Sequence, residues 1–349
     1  MTCLITGSSG LLGGCLIERL EERGDEIRTL DLVPARPGSP ASAHTFFEGN
    51  VCDEARVEEA ARGVDVIYHL AAAQRMKPQF DHWSEKEIFD RNLGGVSTVL
   101  RAAERLGIPK VVHISSSGVY GVPHTNPVRE DHPNEPLGEY GRSKLVAEGI
   151  CLEAVQRGLD VTMLRPMSLF GPEMSGIYVM LFEWVRRGKP VFMLGRGRNQ
   201  VQAASAWDVV DACILAAERP DTRGGIFNIG AEPTTVPTVE DMVRALIEHA
   251  GTRSPLFQIP ASLLRNAARA LNLVGLSPIA PEHYILADQT FILDVDAAKT
   301  RLGWTPRYDN VQMMRDAYDA YLAAGEAARP TPHPLVRLLE AAFPTRVAD

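Results

Sequence analysis

The sequence predicts an α/β fold built on a doubly wound, mostly parallel β-sheet. Short apolar runs alternate with segments of helical periodicity through residues 1–166 of the 349-residue chain. A glycine-rich turn connects the first apolar run to the first helical segment. Because at least five strands alternate with helices, the sheet must be parallel and covered by helices on both faces.

The first unit is predicted to be a strand over residues 1–6, a glycine turn, and a helix that ends at Gly24. Glycines in such a turn allow a sharp bend, the close approach of a pyrophosphate, and tight packing of helix on strand. The first turn of the helix presents unpaired N–H groups to an anion. The residues predicted to bind a dinucleotide here are Gly7, Gly10, Leu11, Leu12 and Gly13.

A second strand is predicted over residues 26–30 and ends at Asp31, roughly twenty residues after the glycine turn. A carboxylate at this position can bind the ribose hydroxyls of a dinucleotide, and it would repel a 2′-phosphate. The pattern is typical of a Rossmann-type domain and favours NAD over NADP. Arg36 is the one residue nearby that argues against this preference for NAD, and we interpret it as a loop residue.

The third and fourth strands are predicted over residues 45–49 and 65–70, and each is followed by residues suited to a cofactor. Asn50 and Val51 follow the third strand, where the edge of an adenine ring would lie. Small residues after the fourth strand let a cofactor lie against the backbone. The residues predicted to contact it there are Leu70, Ala71 and Ala72, and Gln74 opens a loop that is predicted to face the substrate.

Two helix starts are predicted from capping signals. Asp53 is expected to cap a helix that runs through Ala61. Ser84 and Glu87 form a capping box for a long helix through Leu106, and this helix contains Asn92.

The fifth strand, over residues 110–115, ends next to Ser116 and Ser117 at the edge of the sheet where ligands bind. The following helix, from about residue 138 to 155, carries Tyr140 and Lys144 one turn apart on one face. An ammonium beside a phenol favours the phenolate, so Tyr140 is a candidate acid/base. A strand-end serine hydroxyl can polarise the same substrate oxygen. Without that context, a tyrosine and lysine at this spacing would more often be only a solvated surface pair.

A sixth strand is predicted over residues 159–164, and regular alternation ends after Arg165-Pro166. We assign residues 1–166 to the dinucleotide-binding domain, which residues 203–230 rejoin. Residues 167–202 and 231–325 are assigned to a smaller, mainly helical substrate lobe, and residues 326–349 to a linker and C-terminal tail.

Composition limits the remaining possibilities. A net charge of -8 argues against nucleic acid or an anionic membrane as the main partner. The five cysteines are scattered singly, which fits free thiols in a reducing cytoplasm better than disulfides or a metal site. No run approaches the roughly 18 apolar residues that a membrane span needs, so the sequence predicts a cytoplasmic protein.

Several motifs follow one another along residues 1–306. They are the glycine turn, Asp31, His69-Leu70-Ala71-Ala72, Asn92, Ser115-Ser116-Ser117 with Val119-Tyr120-Gly121, Tyr140-x-x-x-Lys144, Arg165-Pro166 and Asp294-x-Asp296-x-x-Lys299-x-x-Leu302-Gly303-Trp304-x-Pro306. In this pattern the chain resembles an extended short-chain dehydrogenase/reductase of the NAD-dependent epimerase/dehydratase family. The resemblance implies that Ser116, Tyr140 and Lys144 are catalytic and that Tyr140, Lys144 and Pro166 also contact NAD. The substrate-binding residues that it implies are Gln74, Ser116, Ser117, Ser168, Arg196 and Arg198.

Departures from the family pattern narrow the expected reaction. Ser117 and Gly118 stand where related dehydratases carry an Asp-Glu pair, and decarboxylating relatives place a Glu at the position of Gly118. Val201 replaces an arginine that often grips a diphosphate, and Arg196 or Arg198 could substitute for it. Ser168 replaces an Asn that is common in the family.

The resulting expectation is an NAD-dependent epimerase acting on a sugar, with a nucleotide sugar as the favoured small-molecule substrate. The alternatives are a net dehydrogenase or reductase of a sugar, sterol-like or other secondary alcohol, and a non-catalytic NAD-binding protein. The resemblance also implies a homodimer joined through the helices that carry Asn92 and Tyr140.

Overall fold

A computed structural model describes residues 1–34, 38–73, 83–172, 177–260 and 285–325. The elements of the dinucleotide-binding region are, in chain order, β1 (Thr2–Thr6), α1 (Leu11–Glu22), β2 (Glu26–Asp31), β3 (Thr45–Glu48), α2 (Glu54–Ala61), β4 (Val66–His69), α3 (Glu85–Leu106), β5 (Lys110–Ile114), α4 (Glu139–Arg157) and β6 (Val161–Pro166). The later elements are β7 (Ser168–Phe170), α5 (Ile177–Arg186), β8 (Val191–Leu194), β9 (Ala203–Ser205), α6 (Ala206–Glu218), β10 (Ile226–Ile229), α7 (Val239–His249), β11 (Leu256–Ile259), a π-helical turn (Ala298–Leu302) and α8 (Asn310–Ala324).

Seven strands form one sheet in the order β10-β6-β5-β4-β1-β2-β3, and every neighbouring pair is parallel. The chain starts in β1, moves outward to β3, and then crosses back to β4 on the other side of β1. The change of direction opens a crevice at the carboxyl ends of β1 and β4, where ligands of such sheets bind. The predicted doubly wound, Rossmann-type sheet is therefore confirmed.

Successive residues of a strand point to opposite faces of the sheet. Because the residues on both faces are apolar, helices cover both faces. Cys3 and Ile5 of β1 face a core that contains residues of α1 and α6. Leu4 faces the other core, which contains residues of α2, α3 and α4. The strands are buried on both sides, which explains why they are continuous apolar runs in the sequence.

Local signals set most element ends as predicted. The Asp53 side chain accepts a hydrogen bond from the Arg56 N–H, and Ser84 with Glu87 forms the predicted capping box. The sixth strand begins at Val161, two residues later than predicted. The reason is that α4 continues to Arg157 and is closed by Gly158, which has φ +120°.

The region that the sequence assigns to a substrate lobe contains helices α5, α7 and α8, whose shared core includes Phe182, Leu246 and Tyr318. It also contains two small parallel sheets, β7-β9 and β8-β11, that the sequence did not predict. In the described parts of the chain, no helix is both long and apolar enough to cross a bilayer. The predictions at Arg36, at Gln74 and over residues 326–349 lie outside the described residues.

Candidate active site

The carboxyl edge of the large sheet gathers most of the predicted site residues. Gly7 follows β1, Leu70 follows β4, and Ser116 lies just beyond β5. Pro166 is the last residue of β6. Because all four strands are parallel, their ends meet at one edge, so residues far apart in the sequence become neighbours.

The glycine turn is shaped by close backbone contacts. Gly7 has φ +77°, and a Cβ at this residue would lie 2.6 Å from the Ala71 nitrogen. A Cβ at Gly13 would lie 2.5 Å from the Ser8 carbonyl oxygen. Gly10 caps α1, and within the described residues no side chain caps this helix end. The open N–H groups at a helix start are suited to a phosphate.

Asp31 lies directly beside this turn. Its carboxylate accepts hydrogen bonds from the Ser9 N–H at 2.9 Å and the Val33 N–H at 3.0 Å. The side chain is half-buried, so part of it faces solvent next to the crevice. Together, the glycine turn with its uncapped helix start and this acid fit the pyrophosphate and a ribose of a dinucleotide.

Asn50 and Val51 lie in the turn after β3. The Asn50 side chain accepts a hydrogen bond from the Cys52 N–H at 2.9 Å, which fixes the turn. Val51 packs against α3, where a Cβ on Gly95 would be 3.1 Å from its Cγ1. These contacts hold both residues at the same sheet edge, and their place beside an adenine ring stays a prediction.

Asn92 has a structural task that its position within a helix did not reveal. Its Oδ1 accepts from the Ala73 N–H at 2.8 Å, and its Nδ2 donates to the Ala73 oxygen at 3.1 Å. Nδ2 also lies 3.4 Å from Ser143 Oγ, which donates to the Tyr140 carbonyl at 2.8 Å. The buried amide therefore links the segment after β4 to the first turn of α4.

Lys144 and Tyr140 lie beside each other at the start of α4. The buried Lys144 ammonium donates to the Ile114 carbonyl at 2.8 Å and lies 5.8 Å from the centre of the Tyr140 ring. Tyr140 is half-buried. The lysine is thus held between the end of β5 and the phenol.

Ser116 caps a short 3₁₀ turn, Ser117–Val119, and its Oγ accepts from the Gly118 N–H at 3.1 Å. This turn packs against α4 at Gly141, where a Cβ would collide with the Gly118 carbonyl oxygen. Two glycines therefore allow the backbones to touch. The contact holds the turn that carries Ser116 against the start of α4, the helix that carries Tyr140 and Lys144.

Two histidines lie under Lys144. His69 and His113 are buried and stacked, with ring centres 5.3 Å apart, and His69 Nδ1 pairs with Thr6 Oγ1 at 2.8 Å. Burial, assisted by the Lys144 charge, lowers the pKa of His69 to about 3. Burial followed by Lys144 and His69 lowers the pKa of His113 well below its usual value. These lowered pKa values favour the neutral form of both rings.

Sequence reasoning missed Glu148, which forms a buried ion pair with Arg165. Two signals could have revealed it. Glu148 continues the Tyr140, Lys144 spacing by another four residues, which places it on the same helix face. Arg165 is the next-to-last residue of the fully buried strand β6, and a buried guanidinium requires a charged or polar partner.

The predicted substrate residues divide into two groups. Ser117 lies in the turn beside Tyr140 and Ser168 is exposed at the start of β7. Arg196 and Arg198 are exposed in the turn after β8, which packs on the start of α7 through the Glu240 N–H to Gly197 oxygen bond of 2.9 Å. The structure therefore places the serines near the sheet edge and the arginines on a separate turn after β8.

Comparisons with known proteins agree with this fold. A family model described as the NAD dependent epimerase/dehydratase family matches residues 3–230. The chain is 36% identical over 325 residues to the uncharacterized protein y4nG of Sinorhizobium fredii, covering 92% of this chain and 79% of that protein. It is 30% identical over 287 residues to sterol demethylase protein B of Methylococcus capsulatus, covering 77% and 80%.

It is also 26% identical over 340 residues to a UDP-glucose 4-epimerase of Lacticaseibacillus casei, covering 89% of this chain and 93% of that protein. Among solved structures, a UDP-glucose 4-epimerase of Thermotoga maritima with UDP-glucose superposes with a TM-score of 0.76 at 23% identity. That similarity covers 93% of this chain and all of the other, and at this identity it is evidence for the fold.

Proposed function

This chain belongs to the NAD-dependent epimerase/dehydratase family, and from that premise we propose that it is an NAD-dependent epimerase of a sugar, with a nucleotide sugar as substrate. The contact between the Ser116 turn and the start of α4 carries the proposal. It holds a hydroxyl, a phenol and an ammonium at the edge where the glycine turn and Asp31 can bind NAD.

Each side chain has a defined task in this proposal. Ser116 donates a hydrogen bond to the oxygen of the reacting carbinol, and the Tyr140 phenolate accepts the proton of that hydroxyl. Lys144 stabilises the phenolate and holds the nicotinamide ribose. NAD, when bound, would supply a reversible hydride acceptor for the carbinol carbon. If the hydride re-enters from the opposite face, Tyr140 would return the proton to the oxygen, so that the epimer forms with no net use of NAD.

The residues next to Ser116 favour epimerisation over dehydration. Elimination of water needs an acid and a base beside the sugar, and Ser117 and Gly118 provide no carboxyl group in that turn. The similarity to a UDP-glucose 4-epimerase over 89% of the chain supports a nucleotide-linked sugar.

A second candidate is a net NAD-dependent dehydrogenase or reductase of an apolar secondary alcohol. Two observations favour it: the higher identity to sterol demethylase protein B, and the apolar Val201 at the position where a diphosphate-gripping arginine is expected. The same Ser116, Tyr140 and Lys144 would perform the single oxidation or reduction step.

One experiment separates the two candidates. Purified protein is incubated with a panel of nucleotide sugars and of 3-hydroxysterols, while epimer formation and NADH absorbance are followed together. We expect epimer formation from a nucleotide sugar without net NADH. Stoichiometric NADH formed from a sterol would replace the first candidate by the second.

Tyr140→Phe tests the assigned acid/base. We expect turnover to fall by about 10²–10⁴-fold, while NAD binding measured by calorimetry is retained. Tyr68→Phe is the matched control, because the buried Tyr68 hydroxyl has no hydrogen-bond partner among the residues that the structure describes. Full activity of Tyr140→Phe would remove that residue from its proposed role.

We also propose a homodimer formed through α3 and α4. The outer face of α4 exposes apolar side chains, with Val146 at 40% and Leu152 at 38% exposure. A charged side chain at the centre of such an interface opposes association. Light scattering should show a dimer for the natural protein and a monomer for Val146→Glu, whereas a monomeric natural protein would contradict the proposal.

A further inference from the structure

A fully buried ion pair lies directly behind the predicted catalytic residues. Arg165 donates from Nε to Glu148 Oε1 at 2.8 Å and from Nη2 to Glu148 Oε2 at 2.7 Å. The side chains of Arg165 and Glu148 are only 2% and 3% exposed. The two parallel hydrogen bonds fix both the distance and the relative orientation of the two groups.

The pair holds both ends of the turn that carries Ser116. Before the turn, Ser115 Oγ donates to Glu148 Oε1 at 2.5 Å. After the turn, Arg165 Nη1 donates to the Tyr120 hydroxyl at 2.7 Å, and that hydroxyl donates to Asn228 Oδ1 at 2.7 Å. The hydrogen bonds therefore clamp the turn from Ser115 on one side and from Tyr120 on the other.

The same pair is anchored in the helix that carries the acid/base. Glu148 lies one turn after Lys144 and two turns after Tyr140 on α4. Arg165 lies on β6, the strand next to β5, which leads into the Ser116 turn. A shift of α4 relative to the turn would stretch the hydrogen bonds of Glu148 to Ser115 and Arg165 together.

Stability alone is a weak explanation for this arrangement. Two buried charges lose their hydration, and apolar side chains of similar volume are often at least as stabilising. Burial, partly offset by the Arg165 charge, raises the pKa of Tyr120 to about 12, so its hydroxyl keeps the proton that it donates to Asn228. The hydrogen bonds of this network therefore fix the orientation of both ends of the turn, which apolar packing could not do.

We propose that Glu148 and Arg165 are positioning residues that set the separation between the Ser116 hydroxyl and the Tyr140 phenol. The inference rests on the proposed function, because that separation matters only if both groups bind the same substrate oxygen. A misplacement of about 1 Å in such a site can lower turnover by about a hundredfold.

The test uses a double variant that keeps the fold and removes the hydrogen bonds of the Glu148–Arg165 pair to the turn. E148L/R165M replaces the ion pair by apolar side chains of similar size, so we expect a melting temperature close to that of the natural protein. Turnover should fall by about tenfold or more, with the Kd for NAD changed by less than about twofold. Arg165→Lys, which keeps the charge but loses the two-pronged geometry, should recover only part of kcat.

Asp160→Asn is the matched control, because Asp160 pairs with the buried Lys110 at the opposite edge of the same sheet. This variant should lose stability and keep kcat. If the double variant keeps kcat while Tyr140→Phe is inactive, the positioning role is overturned and the proposed function stands.

A crystal structure of E148L/R165M gives an answer without any substrate, and so remains decisive if the proposed function fails. We expect the distance between Ser116 Oγ and the Tyr140 hydroxyl oxygen to change by about 1 Å. An unchanged distance would overturn the inference.

Discussion

The sheet edge that is suited to NAD and the turn that carries Arg196 and Arg198 are held in different ways. At the sheet edge, glycines touch neighbouring backbone, and side chains such as Lys144 and Asn92 are buried with fixed partners. The turn after β8 exposes both arginines on a short two-stranded sheet. The sheet edge is therefore held by backbone contacts and buried side chains, whereas the turn proposed to bind substrate presents exposed side chains. Substitutions at the sheet edge should therefore have large effects on NAD binding and on activity in general. Substitutions in the turn after β8 should have smaller effects that depend on the ligand.

Gly7→Ala should have the largest effect. The new Cβ would meet the Ala71 nitrogen at 2.6 Å, at a residue with φ +77°, and alanine in that conformation costs about 1–2 kcal/mol before any clash. We expect NAD binding to weaken by about a hundredfold or more, because the turn must move away from the pyrophosphate position. Calorimetric titration with NAD measures this loss.

Gly14→Ala is the control for that substitution. Among the described residues, nothing lies within 4 Å of a Cβ at Gly14, which is inside α1. Alanine there should raise stability by about 0.5–1 kcal/mol and leave NAD binding unchanged. If Gly7→Ala and Gly14→Ala weakened NAD binding equally, the close backbone contact at Gly7 would not be what NAD binding depends on.

Asp31→Asn should have the next largest effect on the cofactor side. Asparagine keeps an acceptor for the Ser9 N–H but removes the charge. A hydrogen bond to a charged group contributes about 1.5–3 kcal/mol, so NAD should bind about tenfold or more weakly. NADP binding should weaken less or improve. Unchanged preference for NAD over NADP, measured by titration with both, would exclude Asp31 as the determinant.

The sequence predicted the fold, and with it which residues lie at the carboxyl edge of the sheet, for a physical reason. Strand periodicity, the glycine turn and the capping box are local patterns, and parallel strands bring their ends together whatever the loops do. The positions of Gly7, Asp31 and Ser116 follow from that rule.

Contacts that depend on packing between distant segments could not be predicted in the same way. The double hydrogen bond of Asn92 to Ala73 and the pairing of Glu148 with Arg165 join elements whose relative orientation no local pattern encodes. The β8-β11 pairing also escaped prediction, because its strands have only four residues each and are more than sixty residues apart. Sequence patterns therefore identified which residues to examine and left their partners undetermined.

Replacing the two exposed arginines sharpens the contrast on the substrate side. If a diphosphate binds there, R196A/R198A removes charged hydrogen bonds worth about 1.5–3 kcal/mol in total. The KM for a nucleotide sugar should rise about tenfold, with kcat and NAD binding nearly unchanged. R62A/R253A removes the same charge from exposed positions outside this turn and is the control. Equal effects of both double variants on KM would mean that the arginines act only through net charge.

Mild acid should give a smaller effect that also originates at the cofactor edge. An unfolded histidine binds a proton below about pH 6.5, whereas folded His113, whose pKa burial holds well below that value, does not. The free energy of unfolding is therefore highest above about pH 6.5 and decreases as the pH falls below it. The decrease is about 1.4 kcal/mol per histidine at pH 5.5. In His113→Phe, the free energy of unfolding measured in urea should decrease by about 1.4 kcal/mol less between about pH 7.5 and 5.5 than in the natural protein. Any packing change caused by phenylalanine is the same at both pH values, so the difference isolates the proton. An unaltered pH dependence would show that His113 becomes protonated in the folded protein, and the neutral form favoured for this ring would then be wrong.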